Sequence, residues 1–197
     1  AYGEVGKKSY KEETCLNSIF PYDVSKSCAD LICQSYAKTY NLKIGILRCA
    51  NLYGPGDLNK NRLINGFIIS VIKKKLFKIR SNGKLIRDYL YIDDAVNAYY
   101  LTMKALINGK KNLRIYNVGS KYNMNVFKMI NTISKIVNKN DIKIKILNSS
   151  KKEILSQKLN YKKICKELKW KQKVNLENGL KKTLSWYKSN IMFFKNY

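Results

Sequence analysis

Histidine is absent from the 197 residues and proline occurs only twice. Without imidazole there is no Ser-His-Asp triad, no Cys-His pair and no histidine general base, so acid–base chemistry falls to Tyr, Lys, Asp, Glu or Cys. The five cysteines, Cys15, Cys28, Cys33, Cys49 and Cys165, are scattered with no Cys-x-x-Cys pair. Together with the missing histidines this excludes the usual zinc ligand sets, so no metal site is nominated, and the thiols read as reduced in a cytoplasmic protein. The longest apolar run, near Phe67 to Ile72, falls far short of the ~20 residues of a membrane span, and no membrane partner is expected. Acidic residues are scarce: 13 against 39 basic ones, a formal charge of +26. Of the 39, 34 are lysine, whereas base reading and bidentate phosphate gripping favour arginine. The charge therefore reads as a solvated lysine-rich surface with weak polyanion binding at low salt, not as a specific nucleic-acid site. A non-catalytic basic binding module is the alternative, and charge alone supports it. The chain opens Ala1-Tyr2-Gly3-Glu4 with no initiator methionine or signal segment, and reads as a piece of a longer polypeptide.

What is present is an ordinary globular composition, 45% hydrophobic, long enough to bury a core in one or two domains. Residues 5–20 are polar and aperiodic, a loop. Pro21 suits the first turn of a helix, and Val24, Cys28, Leu31, Ile32 and Tyr36 recur at helical spacing to about Tyr40. A short buried strand follows over Lys43–Arg48, then a turn-rich loop over 49–57, a position where open α/β sheets bind ligands. The pattern continues with a helix over 62–74, strands over 77–80 and 87–92 around the Ser81-Asn82-Gly83 turn, and a helix from Asp93 to Leu106. A strand at 114–118, a helix at 123–138, a strand at 143–147 and helices at 161–168 and 176–187 complete it. Helix and strand in alternation predict a parallel α/β sheet. Asp93 and Asp94 read as the cap of their helix and not as paired catalytic carboxylates. Trp170, Trp186 and Tyr187 read as core anchors.

Tyr22 and Lys26 stand four residues apart at the start of the first helix, so they share one face. Making a phenol of pKa about 10 a base near neutrality takes ~4 kcal/mol. An ammonium ~4 Å away at an effective dielectric near 20 supplies about that much.

Tyr-x-x-x-Lys alone is a weak signal, but it stands in a series: AYGE at 1–4, YDVSK at 22–26, RCANLYGPGD at 48–57, RDYLYIDDA at 87–95, YNVGS at 116–120, ELKW at 167–170 and LENGLKKTLSWY at 176–187. In that order these stretches resemble the extended short-chain dehydrogenase/reductases, the NAD-dependent epimerases and dehydratases of nucleotide sugars, over nearly the whole chain. Among the subfamilies, PYDVSKSCADLICQSYAKTY, RCANLYGPGDLNKNRLI and EILSQKLNYKKICKELKW are most similar to CDP-glucose 4,6-dehydratase. The resemblance implies an α/β fold: the C-terminal half of a Rossmann-like doubly wound parallel sheet plus a small α/β substrate-binding domain. Residues 1–60, rejoined by about 93–120, would belong to the dinucleotide-binding domain, and 61–92 with 121–197 to the substrate domain. It implies NAD as cofactor, with Tyr22 as catalytic base, Lys26 lowering its pKa and binding the nicotinamide ribose, and Leu52 beside the nicotinamide. It implies a nucleotide-sugar substrate contacted by Asn51, Arg62, Leu63, Arg87 at the diphosphate, and Asn117. It implies a homodimer through helices that include the Tyr22 helix. A nucleotide-sugar 4-epimerase or reductase of the same family is the alternative activity.

Two departures matter. No Gly-x-Gly-x-x-Gly fingerprint occurs, so these residues alone are expected neither to hold NAD firmly nor to turn over substrate. Asn65-Gly66 stands where relatives usually carry proline before glycine, which predicts a less rigid nucleotide-pocket loop.

Overall fold

A computed structural model describes residues 1–4, 9–138, 142–149 and 154–194. The chain folds as α/β with parallel strand pairs. Helix α1 (Pro21–Thr39) starts at the proline, whose missing N–H needs no partner in a first turn. It leads into β1 (Ile44–Cys49), which pairs in parallel with β5 (Leu113–Val118), Ile44 opposite Leu113 through Cys49 opposite Val118. Between them run β2 (Asn51–Tyr53), α2 (Leu63–Ile72), β3 (Phe77–Ile79), β4 (Ile86–Tyr91) and α3 (Ile92–Ile107). After β5 come β6 (Asn123–Asn125), α4 (Val126–Val137), β7 (Ile144–Ile146), α5 (Lys162–Leu168), α6 (Leu176–Ser189) and a 3-10 turn at Ile191–Phe194. β2 pairs in parallel with β4, β6 lies antiparallel on β4, and β3 pairs in parallel with β7.

Two apolar clusters hold these layers. One joins Leu90, Ala95, Ala98, Tyr116, Val118, Ile164 and Trp170, packing α3 and α5 on the β4 and β5 strands. The other is built by α2, α4 and α6, with Phe67, Ile68, Ile69, Met129, Ile130, Ile133, Leu180 and Tyr187 buried. Each such side chain contributes about 1.5–3 kcal/mol. Trp170 and Tyr187 are fully buried, and Trp186 is half-buried against the second cluster. Gly45 lets α3 approach β1, since a Cβ there would lie 2.8 Å from Thr102 Cγ2.

The structure corrects three local readings. The 49–57 loop contains β2, three residues that pair with Tyr89–Tyr91. Residues 123–125 form strand β6 and not the first turn of a helix: the backbone pairs with Ile86–Asp88, and the Asn125 side chain caps α4 by accepting from the Lys128 N–H at 2.8 Å. Asp93 and Asp94 do not cap α3. Tyr91 is its N-cap, without a side-chain hydrogen bond, and both acids lie in the first turn, at the positive end of the dipole. Buried Asp94 instead accepts from the backbone N–H groups of Lys173 (2.8 Å) and Val174 (3.1 Å), tying down the approach to α6.

Candidate active site

A cavity of about 1030 Å³ lies along β1 and β2, bounded by α1, residues 59 and 61–65 leading into α2, β3, β4 and Gln157. Tyr22, Lys26, Asn51, Leu52, Arg62, Leu63 and Arg87 all line it. Six cationic side chains (Lys26, Arg48, Arg62, Lys78, Arg80, Arg87) face it against three carboxylates, Asp23, Asp30 and Asp88. Asp30 and Arg48 neutralise each other, which leaves five cationic side chains against Asp23 and Asp88. The cavity is therefore an anion site by charge.

Helix α1 brings Tyr22 and Lys26 together: the Lys26 ammonium sits 5.4 Å from the Tyr22 ring centroid, and the tyrosine is 71% exposed. Asn51 reaches across to β4, its Nδ2 donating to the Asp88 carbonyl at 3.3 Å. Arg62 precedes α2 as its N-cap, donating to the Leu52 carbonyl and pairing with Asp57, each at 3.3 Å. Leu63 begins α2 and is half-buried. Arg87 Nη1 donates to the carbonyls of Ile86 (3.0 Å) and Ile154 (2.8 Å), which fixes the guanidinium at the cavity wall.

Asn117, a candidate for the nucleotide pocket in the sequence, is not brought to the cavity. It is fully buried: Oδ1 accepts from Tyr2 OH at 2.6 Å, and Nδ2 donates to the carbonyls of Tyr10 and Asn160. A register position opposite Arg48 on β5 points it into the N-terminal segment. It serves there as a clamp.

Three further lining residues, of which the sequence marked only Asn65, make buried polar contacts. Asp88 accepts from Ser120 N–H (2.9 Å), Ser120 Oγ (2.7 Å) and Leu159 N–H (3.3 Å); burial pushes its carboxyl up to about 6, and these bonds hold it from going further. Asn65 is buried, and its Nδ2 donates to the carbonyls of Asp57 and Asn59, tying the 57–62 loop to α2. Arg48 forms a buried ion pair with Asp30. No local pattern marks the roles of Asp88 and Arg48, because their partners are distant in sequence; those of Asn65 lie six and eight residues before it.

The donor set fits one end of a nicotinamide dinucleotide. Tyr22, Lys26 and Leu52 offer a hydroxyl, an ammonium and an apolar side chain around one opening, suited to a ribose and the face of a planar nicotinamide ring. No Gly-x-Gly-x-x-Gly turn is present to cradle the pyrophosphate. Among the described residues no cluster of His, Cys, Asp or Glu could hold a metal ion, and no helix is long and apolar enough to cross a membrane.

Comparison with known proteins agrees with this geometry. The model of the NAD dependent epimerase/dehydratase family matches residues 1–119. The dTDP-D-glucose 4,6-dehydratase of Dictyostelium discoideum is 30% identical over 223 residues, covering 96% of this chain and 50% of that protein. The crystal structure of dTDP-glucose 4,6-dehydratase from Bacillus anthracis in complex with NAD superposes with a TM-score of 0.86 at 29% identity, over 97% of this chain and 60% of that one. UDP-glucuronic acid 4-epimerase from Bacillus cereus, with UDP-glucuronic acid and NAD, also gives 0.86, at 25% identity over 96% and 59%. The chain spans about half the length of the curated dehydratases it matches.

Proposed function

The chain belongs to the NAD dependent epimerase/dehydratase family, and from that premise we propose that it forms the tyrosine-bearing, substrate-binding part of an NAD-dependent sugar-nucleotide 4,6-dehydratase acting on CDP-glucose. The observation that carries this is the Tyr22–Lys26 pair at the rim of a cationic cavity, with the ammonium 5.4 Å from the ring centroid. In the reading proposed, the Tyr22 phenolate takes the proton of the sugar 4-hydroxyl and becomes the phenol, and the Lys26 ammonium stabilises the phenolate by charge and reaches the nicotinamide ribose. NAD, when bound, supplies the hydride acceptor for C4 and the hydride donor for C6. Oxidation at C4 acidifies the C5 proton, so that water leaves across C5 and C6 and the product is a 4-keto-6-deoxy sugar. Arg87 grips the diphosphate, helped by Arg62 near the nucleotide, because a guanidinium bonds two phosphate oxygens at once. Asn51 orients the sugar, and Leu52 packs beside the nicotinamide ring.

Cytosine as the base rests on the similarity of the 21–40, 48–64 and 153–170 stretches to CDP-glucose dehydratases. The relatives described above act on dTDP- and UDP-sugars by their names. Comparing CDP-, UDP- and dTDP-glucose in one titration tests this, and tighter binding of either of the others contradicts it. A 4-epimerase is the second reading, favoured by the equal TM-score of the epimerase. Product analysis separates the two, since only a dehydratase loses water.

The division into a dinucleotide part (1–60 with 93–120) and a substrate part (61–92 with 121–197) belongs to the proposal; the helices of the α2, α4 and α6 cluster lie within the substrate part, whereas the other cluster joins α3 and β5 to β4 and α5 across the division. A cytoplasmic setting, which the five free thiols suit, and a homodimer belong to the proposal too. α1 and α3 expose Leu31, Ile32, Tyr36, Val96, Tyr99, Tyr100, Met103 and Ile107, each between 48% and 62%, apolar side chains that a second copy would cover.

A further inference from the structure

Helix α1 carries the Tyr22–Lys26 pair yet buries only Ser27, Asp30 and Ala37 of its 19 residues. Apolar packing therefore does little to fix its roll or its height against the sheet. What reaches across is polar. Asp30 accepts from Arg48 Nε at 2.7 Å and from Nη2 at 3.0 Å, a bidentate pair whose side chains are 5% and 8% exposed. Arg48 stands on β1, and its Nη1 continues to Tyr2 OH (2.9 Å) and the Glu12 carbonyl (3.0 Å). Tyr22, Lys26 and Asp30 follow at intervals of four residues, one stripe along the helix, and all three line the cavity.

We propose that the Asp30–Arg48 ion pair is a positioning device that pins the roll and height of α1 on β1, and so sets where Tyr22 and Lys26 stand over the strand ends that carry Asn51 and Leu52. A fork-to-carboxylate bond fixes distance and direction together, whereas an apolar contact leaves a helix free to slide. The role assigned to Tyr22 and Lys26 rests on the function proposed above; the pinning of α1 does not.

Amide hydrogen exchange on the whole chain tests the pin by itself. Asp30→Ala is expected to speed exchange of the α1 amides at least tenfold while amides of α4 and α6 stay within about twofold, since the loss is local. Asp30→Asn, which keeps the shape and loses the charge, is expected to give a smaller change in the same helix. Arg48→Lys is expected to resemble Asp30→Ala, because an ammonium cannot bond both carboxylate oxygens, Tyr2 and Glu12 at once. Uniform acceleration across all helices, or unchanged protection of α1, overturns the proposal. A second arm titrates CDP-glucose at a temperature where every variant is folded: the wild type binds and Asp30→Ala binds at least tenfold more weakly. Failure of the wild type to bind contradicts the functional reading, while the exchange data still decide the pin.

Discussion

At the scale of single residues, the site depends on charges whose partners are fixed. Arg87 is held by two backbone carbonyls before any ligand arrives, so its guanidinium reaches a diphosphate without losing much side-chain freedom. Arg87→Ala should weaken nucleotide-sugar binding by about 10- to 100-fold, the scale of a charged hydrogen-bonded contact worth ~1.5–3 kcal/mol, with no change in the thermal unfolding midpoint beyond a few degrees. Asp88 yields a prediction of another kind. Its folded carboxyl is raised to about 6 by burial, so the folded protein holds this proton more tightly than the unfolded chain. The resulting stability is present below pH ~4 and is lost as pH rises through 6, a change of order 2–3 kcal/mol. Urea unfolding from pH 4 to 8 should show wild type losing stability relative to Asp88→Asn across that interval, and a constant gap between the two would contradict it. Tyr22 and Lys26 were legible in sequence because i and i+4 on a helix must share a face whatever surrounds them. Asn117 was not, because a side chain on a strand is aimed by the register of that strand, here opposite Arg48 and under Tyr2.

At the scale of elements, the helices α1, α3, α4 and α6 were readable from their apolar repeats, and the short strands β3 and β7 from apolar residues between turn signals; β2 and β6 were not. β2 and β6, three residues each, exist only because β4 lies between them, and nothing within Asn51–Tyr53 or Asn123–Asn125 says so. Asp94 shows the same limit: an acid in a first turn suits the helix dipole, but its two oxygens are committed to the residues before α6. Replacing Asp94 by Ala should cost about 1–3 kcal/mol through two part-buried donors left without their carboxylate, measured by denaturant unfolding. The exposed apolar faces of α1 and α3 predict self-association. Tyr36→Asp combined with Tyr100→Asp should convert a dimer to a monomer in sedimentation velocity without lowering the unfolding midpoint, and an unchanged sedimentation coefficient would contradict the dimer.

At the scale of the whole molecule, family and fold were written along the chain as a series of stretches in order, and the family match over residues 1–119 spans those from AYGE to RDYLYIDDA and most of YNVGS. The charge of +26 is a field spread over the surface, and its partners are expected to be salt-sensitive polyanions without sequence preference. With no glycine-rich cradle for a pyrophosphate, the chain alone should form no 4-keto sugar from CDP-glucose and NAD, and a product signal above background would contradict that. Binding is the more direct test of the central claim that the cavity beside Tyr22 and Lys26 is a nucleotide-sugar site. Calorimetric titration of CDP-glucose into the chain at physiological salt should give saturable one-to-one binding that Arg87→Ala weakens at least tenfold; no binding of CDP-, UDP- or dTDP-glucose, or binding indifferent to Arg87, would contradict the account.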